Sequence, residues 1–128
     1  MNNIYATMVL SIDPEPKGRP KFSFKTRHAY TPSKTRNYEN ELKKLIKQSY
    51  SGMILASAIH IDVCFYLKKP KSVKRLLPTV KPDLDNYEKS LFDAMNNIVY
   101  VDDALIVSKV SSKAYDAMPR IELKITVL

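Results

Sequence analysis

Three stretches of this sequence alternate apolar and polar residues with a period of two, and that pattern narrows the available folds more than any other feature. Ile4, Ala6, Met8, Leu10 and Ile12 share one side of an extended segment. Ile59, Ile61, Val63, Phe65 and Leu67 do the same over about 58–67, opposite His60, Asp62, Cys64 and Tyr66. Ile121, Leu123, Ile125 and Val127 repeat it over about 120–127. Successive side chains of a strand point to opposite faces, so each stretch predicts a half-buried strand with one apolar side. Such a sheet needs a cover, and two segments with helical spacing supply it. Tyr38, Leu42, Leu45 and Ile46 predict a helix ending near Ser49, with Thr31 as N-cap, Pro32 at the first helical position and Gly52 just beyond the end. Leu84, Tyr87, Leu91, Phe92 and Met95 predict a second, over about 86–96. Phe22 and Phe24 permit a short exposed strand, and a further strand is expected over about 105–111. The order β-(β)-α-β-α-β-β is that of an α+β fold, a mixed β-sheet with two main helices packed against it. With 128 residues the chain is expected to be a single domain, 1–128.

Composition excludes several classes. At 45% apolar residues the chain can bury a core without covalent staples. A lone cysteine, Cys64, excludes an internal disulfide framework and a cysteine-rich zinc site, and with only His28 and His60 a histidine zinc site is improbable. His28 reads as a phosphate or solvent contact, His60 as an outer-face strand residue, and Cys64 as strand filler. No run reaches the ~18 apolar residues of a membrane span, and no secretory signal is visible. The expectation is a cytoplasmic protein without a membrane partner.

Charge is the first functional signal. Twenty-one Lys and Arg against thirteen Asp and Glu give +8, the balance of a domain that associates with polyanions. Between 14 and 36, where Pro14, Pro16, Gly18 and Pro20 break regular structure, seven basic residues face one acid, Glu15. Between 68 and 81 there are six basic residues and no acid. Between 83 and 116 the balance reverses, with seven acids. Acids weaken phosphate binding, so collecting them in one stretch of a basic protein points to a task other than adhesion.

That stretch opens with Lys81-Pro-Asp-Leu-Asp-Asn-Tyr-Glu-Lys89 and continues through Asp93 to Val101-Asp-Asp103. With Asp85 as N-cap of the second helix, Asp83, Leu84 and Asp85 are extended, both carboxylates lie on one side, and Leu84 turns to the core. Asp102-Asp103 follows after about one helix length, which would bring three carboxylates to one end of the sheet. Oxygen-only ligation suits a hard cation such as Mg²⁺, with Mn²⁺ as the alternative ion. Such a metal activates water and stabilises charge on a phosphodiester. Lys89, four residues after Asp85, shares its helix face and can serve the attacking water or the scissile phosphate. Lys17, Arg19 and Lys21 on one side and Lys68, Lys69, Lys71 and Lys81 on the other are candidate sequence-independent phosphate contacts.

Plainer readings of the same residues exist. Asp85 with Glu88 is also a capping box, Asp85-Lys89-Asp93 an i, i+4, i+8 ion-pair ladder, and Asp102-Asp103 a turn before a strand. An EF-hand is excluded, because Glu88 stands where the loop needs glycine and Ala94 where it needs the bidentate acid. The twelve Tyr and Phe residues fall mostly at core-periodic positions and need no base-stacking role. Apolar parity does not decide between Asp102 and Asp103, since Leu105 and Val107 favour one face and Ile106 and Val110 the other.

The run Lys81-Pro-Asp-Leu-Asp-Asn86, then Lys89, Phe92-Asp-Ala94 and Asp102-Asp-Ala104 before an apolar strand, resembles the RusA family of Holliday-junction resolvases, in its phage and prophage branch. Pro16-Lys-Gly-Arg-Pro-Lys-Phe22 and His28-Ala-Tyr-Thr-Pro32 extend the resemblance over nearly the whole chain. It implies that Asp83, Asp85 and Asp103 are the metal-binding aspartates, that Lys89 is the catalytic lysine, and that Asn86 is the family asparagine. It further implies a homodimer that makes paired nicks in four-way DNA junctions, acting in recombination and repair. Two symmetric cuts suit an isologous dimer with two identical sites. The best-known member carries arginine where Pro82 stands, a contact that Lys81 is placed to take over. Two rivals are a non-catalytic branched-DNA-binding protein of the same fold and an RNA-associated basic protein; neither gives the carboxylates a task.

Overall fold

The computed structural model describes residues 4–18, 21–23, 25, 27–30 and 33–128. In chain order they form β1 (Ile4–Leu10), β2 (Lys21–Ser23), β3 (His28–Tyr30), α1 (Ser33–Ser49), β4 (Ile59–Leu67), α2 (Leu84–Met95), a 3-10 turn (Asp103–Leu105), β5 (Ile106–Tyr115) and β6 (Arg120–Val127). Strands β1-β6-β4-β5 make one four-stranded sheet in that order. It is mixed, with β1/β6 and β4/β6 antiparallel and β4/β5 parallel. Parallel neighbours need a long crossover; here it is the basic loop followed by α2. The expected α+β architecture is the observed one.

The period-two pattern is realised residue by residue. Met8 and Leu10, then Ile59, Ile61, Val63 and Phe65, then Ile121, Leu123 and Ile125 are buried on the side that meets Leu42 and Ile46 of α1 and Tyr87, Leu91, Phe92 and Met95 of α2. Across the register, Ile61 faces Ile125 and Val63 faces Leu123, so each strand's apolar row extends its neighbour's. The opposite face carries the polar set. There His60 Nδ1 lies 2.7 Å from Ser108 Oγ and its Nε2 3.2 Å from Asp62 Oδ1, the outer-face position expected for His60. Cys64 is a free, half-buried thiol on the same face.

The structure departs from expectation in three places. Residues 28–30, read as basic loop, pair antiparallel with β2 as a separate two-stranded ribbon; three residues are too few for periodicity to announce a strand. The Thr31-Pro32 cap and Phe24 lie outside the described residues. Strand β5 continues past Ser111 to Tyr115, because Cys64 through Leu67 of β4 offer it an unbroken ladder that Ser-Ser-Lys shows no apolar sign of. Finally, α2 begins at Leu84 rather than Asn86, which alters the site described next.

Candidate active site

The basic loop enters α2 through Lys81-Pro82-Asp83, where the Lys81–Pro82 bond is cis. Asp83 is the N-cap, extended at φ −69° and ψ 155°, and its carbonyl accepts from Asn86 N at 3.1 Å. Its carboxylate makes no capping hydrogen bond and stands in solvent. Asp85 is therefore not the cap. It belongs to the first helical turn, and the extended Asp-x-Asp geometry is replaced by an extended Asp83 followed by a helical Asp85. Leu84 still turns inward against the core. Both exposed carboxylates sit at the positive end of the helix dipole, where unpaired amides favour negative charge. The capping box does not form either. Glu88 is 6% exposed, and its Oε1 takes Lys109 Nζ of β5 at 2.7 Å.

Lys89 is 65% exposed and leans along the helix, its Nζ 3.8 Å from Asp93 Oδ2. The same carboxylate oxygen lies 3.4 Å from Lys17 Nζ, which also donates to Glu39 Oε1 of α1 at 3.0 Å. Lys17 is carried there by its backbone. The segment before it is strapped between the helices, with Glu15 N donating to the Tyr38 hydroxyl at 3.1 Å and Lys17 N to the Asn86 carbonyl at 3.2 Å. Gly18 suits this approach, because a Cβ there would press on the Thr35 side chain of α1. Burial opposes the charge on Lys17, but its bonds to Glu39 and Asp93 outweigh that and hold its pKa above the ordinary lysine value.

At the other end of α2, Asp102 and Asp103 divide their roles. Asp102 caps the 3-10 turn, its Oδ1 accepting from Ala104 N at 2.9 Å. That bond, and a second one with Asp103, hold the Asp102 carboxyl below its usual range. Burial, the hydrogen bond to Asp102 and the negative charge of Asp93 push the Asp103 carboxyl up. Tyr100 backs this acidic group from the core, fully buried, with its hydroxyl donating to the Phe92 carbonyl at 2.7 Å. Burial first, then the charges of Asp103, Asp93 and Asp102, raise its pKa.

The carboxylates thus fall into two sets. Asp83 and Asp85 stand at the start of α2. Asp103 stands with Asp93 near its other end. Among the described residues no group of three His, Cys, Asp or Glu side chains is placed to hold a metal ion. The donor chemistry still fits a hard divalent cation, since each of the three expected ligands offers only carboxylate oxygen.

Of the expected phosphate contacts, Lys68, Lys71 and Lys81 are exposed, and Lys69 is half-buried with its Nζ 6.0 Å from the Tyr115 ring centre. Lys17 is engaged by two carboxylates. Arg19 lies outside the described residues, and Lys21 is described only as backbone in β2. In the sequence Asp93 shows only the i, i+4 spacing from Lys89, and nothing local announces its long-range partner Lys17. Nothing local announced that Lys109 would neutralise Glu88. No helix among the described residues is long and apolar enough to cross a membrane.

A Bacillus subtilis (strain 168) protein named YqaN, described as uncharacterized, is 32% identical to this chain over an alignment covering 88% of the chain and 89% of its own length. The family model described as endodeoxyribonuclease RusA matches residues 11–126, which take in the Asp83–Lys89 motif, Asp93 and the Asp102-Asp103 pair. On that match the chain belongs to the RusA family of endodeoxyribonucleases.

Proposed function

We propose that the protein is a divalent-metal-dependent, structure-selective endodeoxyribonuclease that resolves four-way DNA junctions by paired nicks, acting as a homodimer. The observation that carries this reading is the exposed, uncapped Asp83-Leu-Asp85 pair at a helix N-terminus, directly downstream of a loop with six cations and no acid. A pure DNA-binding module would gain nothing from carboxylates aimed at solvent beside a phosphate-binding surface. Asp83, Asp85 and Asp103 would hold the metal, with Mg²⁺ favoured by the all-carboxylate donor set. The bound ion would supply a water of lowered pKa and screen charge on the phosphodiester.

The protein's own residues do the rest. Lys89 offers its ammonium to the scissile phosphate or the attacking water, and Asp93 sets the direction in which that ammonium points. Lys68, Lys69, Lys71 and Lys81, together with Arg19 and Lys21, hold flanking phosphates without reading bases, while Lys17 is held by Glu39 and Asp93.

The test is incubation of the protein with a synthetic mobile four-way junction, with and without Mg²⁺, resolved on a denaturing gel. Symmetric nicks in opposed strands that depend on Mg²⁺, and vanish in Asp83→Asn and Asp85→Asn while binding persists, are the expected result. Cutting by either variant at near the wild-type rate would falsify the site assignment.

A further inference from the structure

The loop joining β4 to α2 combines two properties that seldom share a surface. It carries Lys68, Lys69, Lys71, Lys74, Arg75 and Lys81 without an acid. Yet near its middle Leu76 and Leu77 stand 85% and 60% exposed. Solvated loops favour polar residues, and two adjacent bare leucines among cations need a partner that is both anionic and apolar.

The leucines are held out by anchors on both sides. Arg75 Nε donates to the Tyr115 hydroxyl at 3.0 Å immediately before them. Pro78 is buried immediately after them, and Thr79 N donates to the Leu77 carbonyl at 2.8 Å. Lys113 Nζ then clamps the Val80 and Pro82 carbonyls at 2.8 and 2.9 Å. The chain is thus tied to the end of β5 before and after the pair, and the next residues lead into Asp83.

Charge selects among partners. A second copy of this loop would bring six cations against six. Continuous duplex DNA satisfies the cations but hides the apolar faces of its bases inside the stack. A branch point interrupts the stack and exposes those faces between converging phosphates. Apolar side chains flanked by phosphate contacts are how proteins wedge open base steps. We propose that Leu76 and Leu77 form an apolar wedge that enters the base stack at the branch, while the surrounding lysines grip the adjacent phosphates. The wedge makes binding selective for branched over continuous DNA. This inference rests on the nuclease reading above and names what that site recognises.

The test uses a four-way junction carrying 2-aminopurine at the branch, in EDTA so that the strands stay whole. Wild-type protein should raise the 2-aminopurine fluorescence, as unstacking does. Leu76→Ala/Leu77→Ala alters only solvent-exposed side chains, and an unchanged thermal melt verifies its fold. It should lose that rise and about tenfold of its preference for junction over duplex, the order expected when an apolar wedge at one base step is removed. Leu76→Met/Leu77→Met should keep both. No rise with wild type, or a double variant that retains rise and preference, overturns the wedge. A double variant that ceases to self-associate in sedimentation velocity places the leucines at a subunit contact, and one whose main defect is binding to phosphatidylserine vesicles places them on lipid; both overturn it. A wild-type rise without strand cutting once Mg²⁺ is supplied keeps the wedge and overturns the nuclease reading instead.

Discussion

Asp102 and Asp103 are adjacent, identical in type and unequal in environment. The first is spent on the Ala104 amide and the second faces Asp93. Asp103→Asn should therefore abolish junction cutting, whereas Asp102→Asn, whose amide oxygen can still accept from Ala104 N, should retain most of it. Single-turnover rates on one junction check this, and equal rates or the reverse order would show that the two have been misassigned. Asp93 belongs to the same scale. Its carboxylate touches Lys17 and Lys89 and bears on Asp103, so Asp93→Asn should slow cutting by about tenfold or more through misplaced charge. Stability should change by only about 0.2–1 kcal/mol, the worth of partly exposed ion pairs. A wild-type single-turnover rate in this variant would leave Asp93 with a structural role alone. The first carboxylate pair and Lys89 were legible in the sequence because local spacing expresses them. Lys17 was legible only as one cation among many, since its bonds to Glu39 and Asp93 depend on a loop crossing two helices.

At the level of the element, α2 joins the core to the site. Its inward face holds Leu91 and Met95 with no exposure, and Tyr87 stacks on Phe65 of β4 with ring centres 5.5 Å apart. Leu91→Ala should destabilise the fold by about 2–5 kcal/mol, measured by chemical denaturation. Its outward face can then be varied freely; Lys89→Ala should leave the melt nearly unchanged while lowering the cutting rate by orders of magnitude. A Lys89→Ala variant with a normal rate and weaker binding would reduce Lys89 to a phosphate contact. The helix was foreseeable from its apolar spacing, its first residue was not. Asp83 and Asp85 are both good caps, and the choice fell to Asp83 because Glu88, the other half of a box with Asp85, is drawn to Lys109. The ambiguous parity of β5 has a similar cause. Ile59 pairs with Ile106 but His60 with Ser108, so the ladder passes over Val107 and the alternation changes face there.

Across the whole molecule the charge is partitioned rather than spread. The loop between β4 and α2 is uniformly basic, while the acids gather along and after α2. Neutralising Lys68, Lys69 and Lys71 together should weaken binding to every DNA shape. It should also flatten the slope of log affinity against log salt by up to ~0.9 for each phosphate that is no longer neutralised. An unchanged slope would show that this loop faces away from DNA. Because those lysines lie on a loop tied to β5 by Arg75 and Lys113, the loss should appear in binding and not in the thermal melt.

The identity of the four sheet strands and the two helices, the side that β1, β4 and β6 bury, the basic character of the loops and the Asp-Leu-Asp-Asn-x-x-Lys motif were all determined by the sequence alone. Each depends on the identity of residues a few positions apart, and the period of a strand or helix makes those neighbours in space. The tertiary structure decided which strands adjoin, where the ladder skips Val107, which aspartate caps α2, and that Asp103 meets Asp93. These outcomes are competitions between partners distant in sequence, such as Lys109 for Glu88 and Lys17 for Asp93. Only a complete arrangement of sheet, helices and strapping loop settles which pair is made, because each buried or paired charge alters what its neighbours can do.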